Sequence, residues 1–213
     1  MILKMVKFTK FDETLHDMKF GNIRKVSENY FIPIGLLEDS SMDKIYFQFN
    51  KMASSTTVDE NTKVMDVRVS EDISEMIREV EDLICEKTKE NLDEWFPGKG
   101  LTESYIDTAF MTSLKKIKKS HDCIFKPRVS MDMIIFNEDK TEIDFSDLDA
   151  DVKFNAIFHL AGIWFTNTRF GVTWKIEQVL VRSRKSSITN GQYLFDSVSD
   201  DDEEDLDNVF PDE

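Results

Sequence analysis

Cysteine and histidine are scarce in this sequence, and long apolar runs are missing. The two cysteines, Cys85 and Cys123, fall in separate segments without metal-ligand spacing. That pattern points to free, buried thiols in a reducing compartment. The three histidines, His16, His121 and His159, are scattered, so neither a zinc site nor a histidine-based catalytic group is expected. No apolar stretch approaches the ~18 residues needed to span a bilayer. The opening MILKMVKFTKF has charges spaced through it and lacks the unbroken apolar core of a secretory signal. A Gly-rich phosphate loop and a nucleophile elbow are also absent. The paired carboxylates Asp147 and Asp149 lie in an acidic loop, where such groups are usually solvated. The chain is therefore expected to be neither an enzyme nor a cofactor or metal binder.

Acid is abundant. The 213 residues include 42 acidic and 27 basic side chains, a net charge of −15. Ten of the acids, and no base, lie in the last eighteen residues, Asp196 to Glu213, which read DSVSDDDEEDLDNVFPDE. So many like charges cannot bury enough apolar surface to offset the entropy of ordering, so this segment is expected to be a disordered tail. With its aromatic at Phe210 it can imitate a nucleic-acid strand and compete for a basic groove, or it can serve only for solubility. The rest of the chain carries 32 acids against 27 bases. A nearly balanced body can hold local basic patches. It is also long enough for a substantial core, to which 17 Phe, 4 Tyr and 3 Trp contribute.

Periodicity gives the elements. In KIYFQFNKM, Lys44 to Met52, the residues Ile45, Phe47 and Phe49 alternate with Tyr46, Gln48 and Asn50, the mark of a strand. A second strand is expected from Lys63 to Val69. Ser70 then reads as an N-cap, with Glu71 and Asp72 suited to the helix N-terminus. Ile73, Ile77, Val80 and Ile84 form the apolar stripe of a helix running toward Trp95-Phe96-Pro97-Gly98, with a solvated acidic face. Thr102 is expected to cap another helix through Ile106, Phe110, Leu114 and Ile117. Its C-terminus would be stabilised by Lys115, Lys116, Lys118 and Lys119, which could also steer phosphate.

From Cys123 onward the pattern is strand. Ile124 to Phe136 is broken by a bend at Lys126-Pro127-Arg128, Asn137 to Lys140 turns, and Thr141 to Phe145 returns. Lys153 to Phe165 and Val172 to Arg182 form a long hairpin, with Gly162 fitting a corner bend or a close backbone approach. The fold class is α+β: an OB-like, strongly curved antiparallel β-barrel with packed helices and a disordered acidic C-terminal tail. One OB-like domain is expected over residues 1–195, with a helical insertion at about 70–120, and the tail occupies 196–213.

The C-terminal hairpin interleaves aromatics with cations: Phe165, Phe170 and Trp174 with Arg169, Lys175, Arg182, Arg184 and Lys185. Single-stranded nucleic acid is held by faces that stack on bases and cations that follow phosphates, at ~1–3 kcal/mol per stacked base and without dependence on sequence. Those eight residues, helped by Lys126 and Arg128, are the candidate nucleic-acid-binding set. The alternative is an aromatic-rich barrel core with ordinary exposed cations: Trp164 and Trp174 suit a core better than a platform, whereas Phe170, in a polar turn beside Arg169, is harder to explain as core.

The run Leu160-Ala161-Gly162-Ile163-Trp164, followed by Phe170-Gly171-Val172-Thr173-Trp174-Lys175-Ile176-Glu177-Gln178-Val179, resembles the OB-fold single-stranded DNA-binding proteins of nucleocytoplasmic large DNA viruses. The resemblance covers about a quarter of the chain strictly. It implies a sequence-tolerant protein that protects single-stranded DNA during viral replication, recombination or repair, at a replication site inside the host cell. In organisation the tail is similar to those of bacterial and phage single-stranded DNA-binding proteins, which implies recruitment of replication proteins. Here, however, Phe210 is followed by Pro211-Asp212-Glu213 and is not terminal, which favours masking of the protein's own groove over recruitment. The expected partner is single-stranded DNA, with no membrane and no oligomeric state specified. The alternative is an OB-fold protein-interaction or virion structural module without nucleic-acid binding, since fold alone does not fix function.

Overall fold

The structure, a computed structural model, describes residues 5–6, 15–38, 41–54, 64–97, 101–144 and 152–182. The N-terminal strands are β1 (Met5–Val6), β2 (Met18–Phe20), β3 (Arg24–Val26), β4 (Asn29–Glu38) and β5 (Ser41–Asp43). There follow β6 (Ile45–Ser54), β7 (Val67–Val69), and the helices α1 (Glu71–Glu90), α2 (Leu92–Trp95) and α3 (Glu103–Ala109). The rest is β8 (Phe110–Met111), β9 (Leu114–Lys116), β10 (Cys123–Phe125), β11 (Arg128–Phe136), β12 (Glu142–Ile143), β13 (Lys153–Phe165) and β14 (Phe170–Arg182). The acidic tail and the segment with Arg184 and Lys185 lie outside the described residues.

Five segments close a ring. β6 pairs antiparallel with β7 and β13, β13 pairs antiparallel with β14, and β14 pairs parallel with β11. The ring is completed where the chain entering β7 meets β11, through the Val64–Arg128 bridge and Met65 N–H donating to the Pro127 carbonyl at 3.1 Å. A largely antiparallel five-stranded ring with few helices is consistent with an OB-like fold. β9 and β10 extend it beyond β7, and β2, β3 and β5 attach through β4.

The sequence pattern explains the long strands. In β6, Ile45, Phe47 and Phe49 are buried and Tyr46 and Gln48 face outward. A bulge follows at Lys51, which adopts φ 60° and donates its N–H to Asn155 Oδ1 at 3.0 Å. β13 changes partner at Gly162, pairing with β6 up to Leu160 and with β4 from Gly162 on. Gly162 has φ 154°, and a Cβ there would stand 2.2 Å from the Ile32 carbonyl oxygen. The expected close approach is therefore present, and only glycine permits it.

α1 follows its apolar stripe, with Ile73, Ile77, Val80 and Ile84 buried and Ser70 at the N-cap position in extended backbone. Its polar face is not wholly solvated. Glu81 is buried and accepts hydrogen bonds from Thr112 Oγ1 (2.6 Å), Ser113 N–H (2.8 Å) and the Ser113 hydroxyl. Burial pushes its carboxyl above the usual range, against the opposing effect of those donors.

The helix expected from Thr102 through Ile117 ends at Ala109. Thr102 does cap it, accepting from Tyr105 N–H at 3.3 Å. Phe110 then leaves the helix to pair in parallel with Phe170, their rings 5.2 Å apart. This aromatic contact, and the hydroxyls that Thr112 and Ser113 commit to Glu81, outweigh the helical spacing of Leu114 and Ile117. Lys115 and Lys116 consequently lie on strand β9, paired with β10.

Candidate nucleic-acid interface

The aromatic part of the expected interface is in the core. Trp174 is 2% exposed and sits at the centre of the barrel, 5.4 Å from Phe47 and 5.8 Å from Phe125 between ring centroids. Phe165 and Phe170, 5% and 1% exposed, stack on each other at 5.2 Å and 10°. Phe96 and Trp95 pack on Phe165 at 4.9 and 6.4 Å. Segments distant in sequence, 92–96 and 110–111, fold over the end of the hairpin and remove these rings from solvent. Gly171 serves the same packing, since a Cβ there would meet the Met111 carbonyl oxygen at 2.7 Å and the Trp164 ring at 2.9 Å. None of the three aromatics presents a ring face to solvent.

The cations stay outside but do not form one cluster. Arg169 is exposed in the turn after β13, where Thr166 N–H donates to the Arg169 carbonyl at 2.8 Å and the Arg169 guanidinium lies 3.4 Å from Met111 Sδ. Lys126 is exposed and paired with Asp66 at 3.1 Å. Arg182 is exposed at the end of β14. Of the expected cations among the described residues, only Lys175 and Arg128 are brought together, as direct neighbours in the parallel β11–β14 ladder.

That pair belongs to a transverse row on the outer face of the sheet. Residues opposite one another in adjacent strands point to the same side. Tyr46 on β6 is opposite His159 on β13, His159 is opposite Lys175 on β14, and Lys175 is opposite Arg128 on β11. The row spans four adjacent strands, roughly 14 Å at ~4.8 Å per strand spacing. The rings of Tyr46 and His159 lie 5.5 Å apart at 37°, a tilted pair. Arg128 is exposed, Tyr46 and Lys175 are half-buried, and His159 is buried. Burial, then the charges of Lys44 and Lys175, push the His159 imidazole down to about 4, against the pull of Glu177. Its Nδ1 stands 3.3 Å from the Glu177 carboxylate. At neutral pH the imidazole is thus uncharged, and Lys44, Lys175 and Arg128 carry the positive potential.

Beside the row the face sinks into a depression of about 250 Å³ walled by Gln48, Asn155, Ala156, Ile157, Gln178 and Leu180. Gln48 and Gln178 flank Ile157 across the strands, and the exposed Ile134 extends that line on β11. Flat aliphatic and amide surface beside a line of cations suits stacked bases next to phosphates. Among the described residues no group of three or more His, Cys, Asp or Glu is placed to hold a metal ion. Tyr46, His159, Gln48 and Gln178 escaped the sequence reading. The signal was present in the alternation of KIYFQFNKM, whose outward residues face the outward residues of β13.

The profile of the family of unknown function DUF5871 matches residues 50–197. The chain belongs to that family. The DUF5871 match takes in all five ring segments, entering within β6. No curated protein matches. Among solved structures, the single-stranded DNA-binding protein from bacteriophage Enc34 is similar at 11% identity, over 82% of this chain and 96% of that one, with a TM-score of 0.44. The Enc34 protein in complex with single-stranded DNA aligns with a TM-score of 0.44, at 11% identity over 78% of this chain and 96% of that one. The single-stranded DNA-binding protein gp2.5 encoded by bacteriophage T7 is similar at 9% identity, over 70% of this chain and 97% of that one, with a TM-score of 0.46.

Proposed function

We propose that this chain is a non-enzymatic, sequence-tolerant single-stranded DNA-binding protein, and that the outer face of its OB barrel is the binding surface. The observation that carries the reading is the row Tyr46–His159–Lys175–Arg128, which places the half-buried Tyr46, two cations and an adjoining apolar trough on one face, with the buried His159 between Tyr46 and Lys175. Bases would lie against Tyr46, Ile157 and the flat glutamine amides, and phosphates against Lys44, Lys175 and Arg128. Arg169, on the turn between the last two barrel strands, and Lys126 would add cations beside the surface, while Arg184 and Lys185 lie outside the described residues. OB folds bind oligonucleotides with this combination of barrel face and flanking loops. The biological setting would be protection of DNA in viral replication, recombination or repair within the host cell. The acidic residues 196–213 would compete with DNA for the cationic face and offer a docking point for replication proteins.

The test is fluorescence anisotropy of a labelled thirty-nucleotide single strand across a salt series. Arg128→Ala with Lys175→Ala should weaken binding at least tenfold and lower the log–log salt slope by about 1.4, ~0.7 for each phosphate that is no longer neutralised. Truncation after Phe195 should tighten binding most at low salt. Undiminished affinity in the double variant would remove the row from the interface.

A protein-interaction module is the second reading, favoured by the exposed Leu37 and Met42, which face each other across β4 and β5. It no longer has the aromatic hairpin as its surface, because those rings are buried. Equal retention on single-stranded DNA and on an uncharged surface would favour it.

A further inference from the structure

The lysines of β9 lose their helical explanation, since the helix that they were to terminate ends at Ala109. Register shows what they join. Lys115 on β9 is opposite Ile124 on β10, Ile124 is opposite Arg68 on β7, and Arg68 is opposite Ala53 on β6. Ala53 is opposite Lys153 on β13, and Lys153 is opposite Arg182 on β14. Six strands therefore carry one continuous row, ~24 Å long at ~4.8 Å per strand spacing. Its four cations are all exposed, and the two residues between them are half-buried and apolar.

The alternation of each strand fixes the face. Val67 and Val69 are buried on either side of Arg68, Cys123 and Phe125 on either side of Ile124, and Phe154 next to Lys153. Lys153 shares the outer side of β13 with Ile157 and His159, so this row and the Tyr46–Arg128 row cross the same face. They lie six residues apart along β13, about 20 Å at ~3.3 Å per residue, with the amide-lined depression between them. Asp122 stands in the row's path and pairs with Arg68 at 2.8 Å. Arg68 is thus already neutralised, and Lys115, Lys153 and Arg182 supply the attraction. A guard against edge pairing accounts for lysine on β9, but not for Lys153, which is paired on both sides, with Ala53 on β6 and Arg182 on β14.

We infer that this second basic row is a separate track for the phosphate backbone of single-stranded nucleic acid. A long strand can fill both rows while it crosses the trough, whereas a strand of eight nucleotides is too short to fill both. The inference rests on the single-stranded DNA reading above and extends it to the path and length of the bound strand.

The experiment compares Lys115→Ala/Lys153→Ala/Arg182→Ala with the wild-type full chain, using labelled dT₈ and dT₃₀ over a salt series. All three side chains are exposed, so a circular dichroism melt should match the wild type. The expected result is a dT₃₀ salt slope lower by about 2, at ~0.7 per phosphate. The preference of the protein for dT₃₀ over dT₈ should also shrink at least fivefold. An unchanged slope and length preference in the triple variant, with Arg128→Ala/Lys175→Ala still impaired, would overturn the second track and leave the first intact. Failure of the wild type to bind either oligonucleotide at low salt would overturn both the track and the function on which it rests.

Discussion

Truncating Phe170 to alanine separates a core role from a DNA-contacting one. The ring is 1% exposed, stacks on Phe165 at 5.2 Å and also meets Phe110 at 5.2 Å. Removing a buried phenylalanine costs ~3–5 kcal/mol, because the transfer energy of the ring is forfeited and a cavity is left. The surroundings have little freedom to collapse. Phe165 is held by Phe96 and Trp95, and the Phe170 backbone is paired on both sides, with β13 and β8. The upper part of that range, ~4–5 kcal/mol, is therefore expected. In a domain of this size each kcal/mol moves the melting midpoint by ~2–4 °C, so the midpoint should fall by about 8–20 °C. Thermal melts by circular dichroism measure this, with oligonucleotide binding recorded at 10 °C, where the variant remains folded. Affinity should stay within about twofold of wild type, and Phe170→Leu should restore more than half of the missing stability. A midpoint within 2 °C of wild type together with a tenfold loss of affinity would refute the reasoning and return the ring to solvent.

Gly162→Ala should destabilise by ~3 kcal/mol or more in urea unfolding, combining a strained φ with a clash against the Ile32 carbonyl; a cost under 1 kcal/mol would contradict the close approach. Glu81 has a raised folded pKa, so its contribution is complete at low pH and is lost as pH rises from ~4.3 through the folded value. Wild type should therefore lose stability relative to Glu81→Gln over that interval, as read from urea midpoints, and parallel pH profiles would argue against a buried carboxyl. Glu81→Ala should cost ~1–3 kcal/mol by leaving the Thr112 and Ser113 donors unpaired. His159, depressed to about 4, favours the fold when neutral, so that stability is present above ~6.5 and is lost as pH falls toward 4. Its imidazole should titrate near 4 by NMR and move upward when DNA brings phosphate beside Lys175; a midpoint above 6 would place the ring in solvent.

Much of the strand framework was legible from local pattern. β13 spans Lys153 to Phe165 as the alternation indicated, α1 buries Ile73, Ile77, Val80 and Ile84, and Pro127 marks the break between β10 and β11. What local pattern cannot carry is which outward residues meet across strands. Phe170 sits in a polar turn by sequence and under Phe110 and Phe165 by fold. Conversely, Tyr46 and His159 are 113 positions apart and become neighbours only through the β6–β13 register. The end of α3 departs from its sequence pattern for the same reason: the spacing of Leu114 and Ile117 is helical, but Phe110 has a distant partner in Phe170 and Thr112 one in Glu81. Cations were the more transferable part, since exposed lysine and arginine stay outside wherever the strand goes.

The barrel is fastened unevenly. β13 and β14 are zipped along thirteen residues each, while among the described residues the junction beside Arg128 has one bridge and the Met65–Pro127 hydrogen bond. Opening there disrupts the least pairing, so the Met65 amide should exchange with solvent well before those of β13. Arg128 stands on that lip and also ends the cationic row. A strand gripped by Arg128 and Lys175 at once would fix that lip to β14, so that occupancy of the surface steadies one side of the junction at which the barrel closes.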